Sequence, residues 1–402
     1  MPYPPHHGPT KGTTIRNHGL VSGLASRHEV YLLSFATPED DAERIRPLLD
    51  LCEVVDSVLE PRRTFSQRLW TLLTSRLPDM AHRLASPVFK SRLQRLLAGQ
   101  RFDVVQFEGI EMIPYLATVL DATPRSARPR LVFDEHNAEY VLQKRVFEAD
   151  IRVPSRWVGA LYSFVQWHKL RWFEAWACRQ VDVVVAVSDV DARALQRIVP
   201  GLEVAVVPNG IDVHSHATYV APADLVPRHT LVFTGTMDYR PNIDAVLWFA
   251  DRVFPRLREL VPDVRFYVVG RQPHPRLDTL RDRRGIVITG SVPDTRPYIG
   301  GADVYVIPLL SGGGTRFKVL EAMTLRRPIV STSMGCDGFP VVSGREVILA
   351  DEPEAFAREV ARLLMDKDMR QTLGQAGFDF ACARYDWSAI VPLLEATYTS
   401  AS

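Results

Sequence analysis

Apolar residues along this chain fall into short runs separated by longer stretches in which they recur every third or fourth position. The runs predict strands and the stretches predict amphipathic helices, in the alternation that builds parallel sheets with crossover helices. Predicted strands in the first half are 29–34, 54–59, 104–107, 131–134, 183–188 and 204–208. Those in the second half are 230–234, 265–269, 286–289, 304–308, 329–332 and 346–349, with helices at 243–260, 318–325 and 353–365. Six strands per half read as two Rossmann-like units in tandem. The boundaries expected are 1–220 for the first and 229–385 for the second. Segment 221–229, with two prolines and little periodicity, is the expected linker. Residues 386–402 are predicted to form a helix that packs back on the first unit.

At 402 residues the chain is too long for one ordinary core, which agrees with two units. Lys and Arg number 48 against 47 Asp and Glu, so no global polyelectrolyte partner such as nucleic acid is implied. Cys52, Cys178, Cys336 and Cys382 lack metal-ligand spacing and read as reduced thiols of a cytoplasmic protein. No apolar run is long enough to span a membrane. Charge is uneven, however. Residues 62–101 carry nine cations (Arg62, Arg63, Arg68, Arg76, Arg83, Lys90, Arg92, Arg95, Arg101) against Asp79 alone, with Leu69, Trp70, Leu72, Leu73, Leu77 and Phe89 interleaved. That composition suits either solvated helix faces or docking at the inner face of an anionic membrane. The aromatic stretch 157–176 has helical spacing and is expected in the core.

Chemistry concentrates where Rossmann sites belong, at the carboxyl ends of strands. After strand 304–308 come Gly312, Gly313, Gly314 and Thr315, then Arg316, Lys318 and, inside an apolar helical run, Glu321. Exposed loop amides and two cations at a helix start suit a diphosphate, and a carboxylate one turn on can accept from sugar hydroxyls. Cations at a helix N-terminus are otherwise unfavourable, which argues against mere solvation. Further short turns follow other strands: Asp134-Glu135-His136-Asn137, Thr234-Gly235-Thr236, Val269-Gly270-Arg271 and Thr289-Gly290-Ser291-Val292.

In this order, "VDVVVAVSDVDARAL", "VAVVPNGID", "LVFTGTMDYRPNIDAVLWFADRVFPRL", "VRFYVVGRQP", "IVITGSVPDTRPYIGGADVYVIPL", the glycine loop and "YDW" resemble the retaining, nucleotide-sugar-dependent glycosyltransferases of family 4. "LVFDEHNAEY" and the opening "MPYPPHHGPTKGTTIRN" resemble that family's acceptor-domain pattern. The resemblance implies the GT-B fold, two Rossmann-like domains with parallel sheets facing across a cleft. It places donor contacts at Gly12, Gly235, Arg240, Arg271, Val292, Gly312, Gly313, Gly314, Thr315, Arg316, Lys318 and Glu321. His136 is implied at the reacting face of the donor sugar, and Glu108, after strand 104–107, is read toward the acceptor. Two departures stand out. The first carboxylate of the family's Glu, seven residues, Glu signature is replaced by Gly313. The places of the family's phosphate-binding Arg and Lys fall near Thr236 and Asn242, which leaves Arg316 and Lys318, with Arg240 as a third, to offset the diphosphate. Asn209-Gly210 and Asp212 resemble a family turn with a structural role. Family members also begin with an apolar strand, whereas this chain starts at Met1-Pro2-Tyr3-Pro4-Pro5; a truncated start is expected.

The implied reaction moves a hexose from a nucleotide-diphosphate sugar to a hydroxyl of a glycan or lipid-linked acceptor, with retention. Cations and amides stand in for a metal, and no cofactor is needed. Cell-surface or exported polysaccharide assembly is the expected setting. The rivals are a nucleotide-sugar epimerase of the same fold, a non-catalytic nucleotide-sugar-binding protein and, with no Gly-x-Gly-x-x-Gly after an early strand, a nicotinamide enzyme.

Overall fold

The computed structural model describes residues 1–3, 12–37, 49–222, 226–312 and 316–399. The chain divides into two compact units, Met1–Pro208 with Ile390–Ser402, and Asn209–Ala389. All strand pairing in the named sheets is parallel, and each of the twelve predicted strands forms.

In the first unit, β1 (Tyr31–Ala36) pairs with β2 (Val54–Leu59), while β3 (Val104–Glu108), β4 (Arg130–Glu135), β5 (Val183–Ala186) and β6 (Val204–Val206) form a separate sheet in sequence order. Beside β1, the Met1 amino group donates to the Leu33 carbonyl at 2.7 Å and its carbonyl accepts from Phe35 N at 3.0 Å. Four helices carry the argument: α1 (Gly12–Ala25), α2 (Phe65–Thr74), α3 (Glu139–Asp150) and α4 (Trp157–Cys178). The α1 helix buries Thr14, Arg16, Asn17, Leu20 and Val21. Helices α3 and α4 pack on each other as a hairpin, and α4 buries Ala160, Ser163, Gln166, Leu170, Phe173 and Ala177, a stripe at helical spacing. The expectation that 157–176 is core holds for that stripe alone. A helix lays one stripe on its neighbours, and Trp157, Leu161 and Trp172 lie on the exposed remainder. The C-terminal helix Trp387–Thr399 buries Ile390, Val391 and Leu394. Val391 fills the space beside Gly23, where an added Cβ would lie 2.4 Å from it.

The second unit is a six-stranded sheet in the order β12-β11-β10-β7-β8-β9, from β7 (Thr230–Thr234), β8 (Arg265–Val269), β9 (Ile286–Gly290), β10 (Val304–Ile307), β11 (Ile329–Ser331) and β12 (Ile348–Leu349). Central β7 and β10 are buried at every residue, as continuous apolar strands covered on both faces must be. Its relevant helices are α5 (Val213–Ala217), α6 (Arg240–Trp248) and α7 (Phe317–Thr324). The helix predicted over 243–260 continues from α6 through a π segment, Phe249–Val253, into Phe254–Leu260. The widened turn adjoins Pro255, which has no N–H to give the preceding turn.

The division falls after Pro208, so residues 209–220 belong to the second unit rather than the first. Ile211 and Val213 are part of its core, Ile211 N donates to Tyr385 O at 2.7 Å, and Asp212 Oδ1 caps α5 by accepting from Ser215 N at 2.9 Å. Gly210 is required there, because a Cβ would lie 2.5 Å from the Trp387 ring. Periodicity could not show these contacts, which join residues far apart in sequence.

Candidate active site

In the second unit, the chain leaves β7 at Gly235 and β8 at Gly270, side by side. Gly235 N donates to Val269 O at 3.1 Å, and Met237 N donates to Arg271 O at 2.8 Å. A Cβ on Gly270 would lie 1.7 Å from Gly235 O, so the two turns touch through bare backbone. Beyond Gly235, α6 begins, and Asn242 in its first turn is buried. Its Nδ2 donates to Thr236 O at 2.9 Å, and its Oδ1 accepts from Lys318 Nζ at 2.9 Å. The ammonium also sits 4.0 Å from the Phe233 ring centroid, and a Cβ on Gly235 would come within 3.2 Å of it. Burial, then the nearby Arg316, lowers the Lys318 pKa to about 7, with Glu321 opposing.

Lys318 and Glu321 thus occupy the first two turns of α7, whose N-terminal amides lack intrahelical acceptors and favour an anion. Arg316, immediately before α7, is buried, and its guanidinium approaches Gly312, where an added Cβ would lie 3.1 Å from Nη2. Gly312 has φ +128°, the left-handed side that glycine adopts without strain. Burial raises the Glu321 carboxyl, against the pull of His216 and Lys318. Gly313, Gly314 and Thr315 lie outside the described residues. The structure therefore brings Gly235, Gly312, Arg316, Lys318 and Glu321 to one end of α7.

Arg240 makes an ion pair along its own helix. Its half-exposed side chain reaches Asp244 at 3.4 Å, one turn along α6, and Asp244 is shared with Arg276 at 2.8 Å. Arg271 is exposed and enters through its carbonyl, while Val292 packs partly against the sheet's core. Asn242 is the residue the sequence reading passed over as a lost lysine. It holds the lysine that arrives from α7 instead.

The first unit carries a second charged centre. Glu108 ends β3 and His136 follows β4, and His136 Nε2 meets Glu108 Oε2 at 2.9 Å. Gln106 Nε2 donates to Glu108 Oε1 at 2.6 Å, and Asn17, with its amide turned to suit its neighbours, donates to Glu108 Oε2 at 3.2 Å. Tyr398 Oη donates to Gln106 Oε1 at 2.6 Å. Glu108 is therefore buried and supplied with three donors. Glu108, read from the sequence toward the acceptor, has its carboxylate buried and engaged by His136, Gln106 and Asn17. Burial would raise the Glu108 carboxyl, but His136, Arg16 and Gln106 together bring it below its ordinary value. Burial would lower His136, but Glu108 and Asp134 outweigh it, so the imidazole is raised above its ordinary value. Gly109, at φ +80°, leaves room beside the ring, since a Cβ there would be 3.4 Å from His136 Nδ1. Gly12 opens α1 on the same unit.

Glu108, Asp134 and His136 offer ligand atoms within 4.8 Å of one another, the one set among the described residues that could hold a metal ion. It suits a cation poorly. Buried Arg16 takes both Asp134 oxygens (Nη2–Oδ2 2.8 Å, Nη2–Oδ1 3.1 Å) and also donates to Val207 O and Pro208 O. An added cation would face the Arg16 guanidinium already seated on Asp134.

Known proteins resemble this chain in sequence and fold. Residues 10–215 match the family model described as Glycosyltransferase Family 4, and residues 228–366 match Glycosyl transferases group 1. The chain is 22% identical over 398 residues to an "Uncharacterized 44.6 kDa protein in cps region" of Klebsiella pneumoniae, covering 96% of this chain and 94% of that one. It is 31% identical over 237 residues to the phosphatidyl-myo-inositol mannosyltransferase of Mycolicibacterium smegmatis, covering 54% of this chain and 57% of the relative. Among solved structures, Anabaena Alr3699/HepE in complex with UDP and glucose superposes with a TM-score of 0.66 at 14% identity, over 99% of both chains. The sucrose-phosphate synthase of Thermosynechococcus elongatus superposes with a TM-score of 0.67 at 17% identity, over 98% of this chain and 94% of that one. These two likenesses are of fold, the GT-B fold. With one family model matching half of the chain and a second matching most of the rest, the protein belongs to glycosyltransferase family 4 and is a glycosyl-transferring enzyme.

Proposed function

We propose that this protein moves a hexose from a nucleotide-diphosphate sugar to a hydroxyl of a glycan or lipid-linked acceptor, with retention and without a metal or cofactor. The observation that carries the reading is the Lys318 ammonium lodged between Asn242 and the bare Gly235 turn at the start of α7. A half-buried ammonium with no carboxylate partner among the described residues is costly, and a diphosphate would supply the missing negative charge. Arg316 and the α7 amides would share that charge, and Glu321 would accept from ribose hydroxyls. Backbone at Arg271 and Val292 would frame the base.

In the step itself, the bond from the sugar's anomeric carbon to the diphosphate oxygen breaks. The acceptor oxygen bonds to that carbon on the same face. The acceptor's proton passes to the departing phosphate, whose new charge is met by Lys318 and Arg316. His136, held through Nε2 by Glu108, would donate from Nδ1 to the donor sugar when protonated there. The relative from Mycolicibacterium smegmatis is a phosphatidyl-myo-inositol mannosyltransferase, which supports the lipid-linked branch of this reading.

The test is turnover with a donor panel and a glycan or lipid extract as acceptor, in the presence of EDTA, with the product's anomeric proton coupling read by NMR. Retained configuration and EDTA resistance support the proposal. An inverted product or loss of transfer on chelation refutes the corresponding part. Interconversion of the donor without any acceptor would instead favour an epimerase.

A further inference from the structure

Helix α2 is ten residues long and buries none of them. A helix of that length is marginal alone in water, so others must hold it. Thr64 and Gln67 close a capping box at its start. Lys169 of α4 donates to Leu72 O and Ser75 O, both at 2.7 Å, and Arg68 bonds Tyr162 of α4. Just beyond α2, Gln166 of α4 accepts from Asp79 N at 2.8 Å. These polar ties fasten the inward side of α2 to α4. They leave Phe65 (80% exposed), Leu69 (46%), Leu73 (76%) and Trp70 (69%) on the outside, three of them at successive turns. The start of α4 continues the theme with exposed Trp157, Val158 and Leu161. Exposed apolar side chains on this scale mark a surface meant to be covered.

Charge decides what covers it. Of the nine cations in 62–101, Arg63, Arg68, Arg83 and Arg92 are in ion pairs. Arg62, Arg76, Lys90, Arg95 and Arg101 are exposed and form no ion pair among the described residues. Arg62 and Arg76 bracket α2. A two-fold interface between copies would set this positive surface against itself. An anionic lipid surface meets both features, taking the aromatic and aliphatic side chains at headgroup depth and the arginines at the phosphates.

We propose that α2, with the start of α4, is a docking face for an anionic bilayer, and that the enzyme works there on a membrane-borne acceptor. The acceptor clause rests on the lipid-linked branch of the function proposed above; the docking face does not, because vesicle binding requires no donor or turnover.

The experiment is co-sedimentation of the full chain with vesicles of phosphatidylcholine alone or with about 30 mol% phosphatidylglycerol. It compares the wild type with Phe65→Ser/Trp70→Ser/Leu73→Ser and with Arg62→Gln/Arg76→Gln, with donor-induced thermal shift followed in parallel. Binding to anionic vesicles only, weakened by salt, lowered about thirtyfold by the arginine pair and abolished by the apolar triple, supports the proposal. Because α2 buries no residue, each variant is expected to keep its fold and its donor shift. No sedimentation, equal binding to neutral vesicles, or undiminished binding by both variants overturns it. So does a concentration-dependent dimer of the wild type that the triple variant abolishes without any vesicle binding. Intact transfer to a soluble glycan with no vesicle binding removes the docking face and leaves the function standing.

Discussion

Replacing Lys318 by Met should stabilise the protein while destroying its grip on the donor. The ammonium sits against the Phe233 ring and donates to Asn242 Oδ1, its one acceptor among the described residues, and its pKa is lowered from 10.5 to about 7. At 1.36 kcal/mol per pKa unit, that lowering represents about 4–5 kcal/mol by which the folded state disfavours the charged form. The side chain keeps some solvent contact, and the substitution loses one hydrogen bond worth about 1 kcal/mol, so a gain of about 2–3 kcal/mol at pH 7 is expected. The sign over pH follows from proton counting. Between pH 7 and 10.5 the unfolded chain holds a proton on Lys318 that the folded chain has released, so wild-type stability rises with pH through this window. The advantage of Lys318→Met is therefore fully present below about pH 7 and vanishes by about pH 10.5. Loss of a charge-assisted contact to the diphosphate should weaken donor binding about tenfold to a hundredfold or more. Urea unfolding from about pH 6 to 10 gives the first quantity, and calorimetric titration with nucleotide-diphosphate sugar gives the second. A variant less stable than wild type at neutral pH, or one binding donor as tightly, would refute the assignment.

Other substitutions probe the rest of the site. Glu108→Gln keeps an acceptor for His136 Nε2 but removes the charge that holds the imidazole up. Turnover should then begin to fall at a lower pH than in wild type, with donor affinity unchanged; an unaltered pH profile would deny Glu108 its orienting role. Gly270→Ala puts a methyl 1.7 Å from Gly235 O and should cost more than about 3 kcal/mol or prevent soluble expression. Gly159→Ala, on open α4 surface, should gain about 0.5–1 kcal/mol, and thermal melts compare the two.

The strands of the second unit were legible because parallel strands covered on both faces are near-continuous apolar runs, and β7 and β8 begin and end where the sequence predicts. The cation pair Arg316 and Lys318 was legible too, since cations at a helix start have few other uses. What escaped were partnerships across long sequence separations. Nothing near Asn242 announces a lysine 76 residues away. Nothing near Glu108 announces His136, Asn17 and Gln106 converging on one carboxylate. Arg240 shows the opposite, local case. Its partner Asp244 is one turn along the same helix, and a local ion pair there competes with any distant anion. The exposed aromatics of α4 could not be told from core by spacing, because that helix is apolar on more than one face.

The central claim is that the donor's diphosphate sits at the start of α7 against Lys318. Thermal stabilisation by a panel of UDP-, GDP- and ADP-sugars, repeated with Lys318→Ala, tests it most directly. The account predicts a saturable rise in melting temperature with one nucleotide class and its loss in Lys318→Ala, with His136→Ala keeping the rise. A rise that survives Lys318→Ala undiminished would place the diphosphate elsewhere and contradict the account.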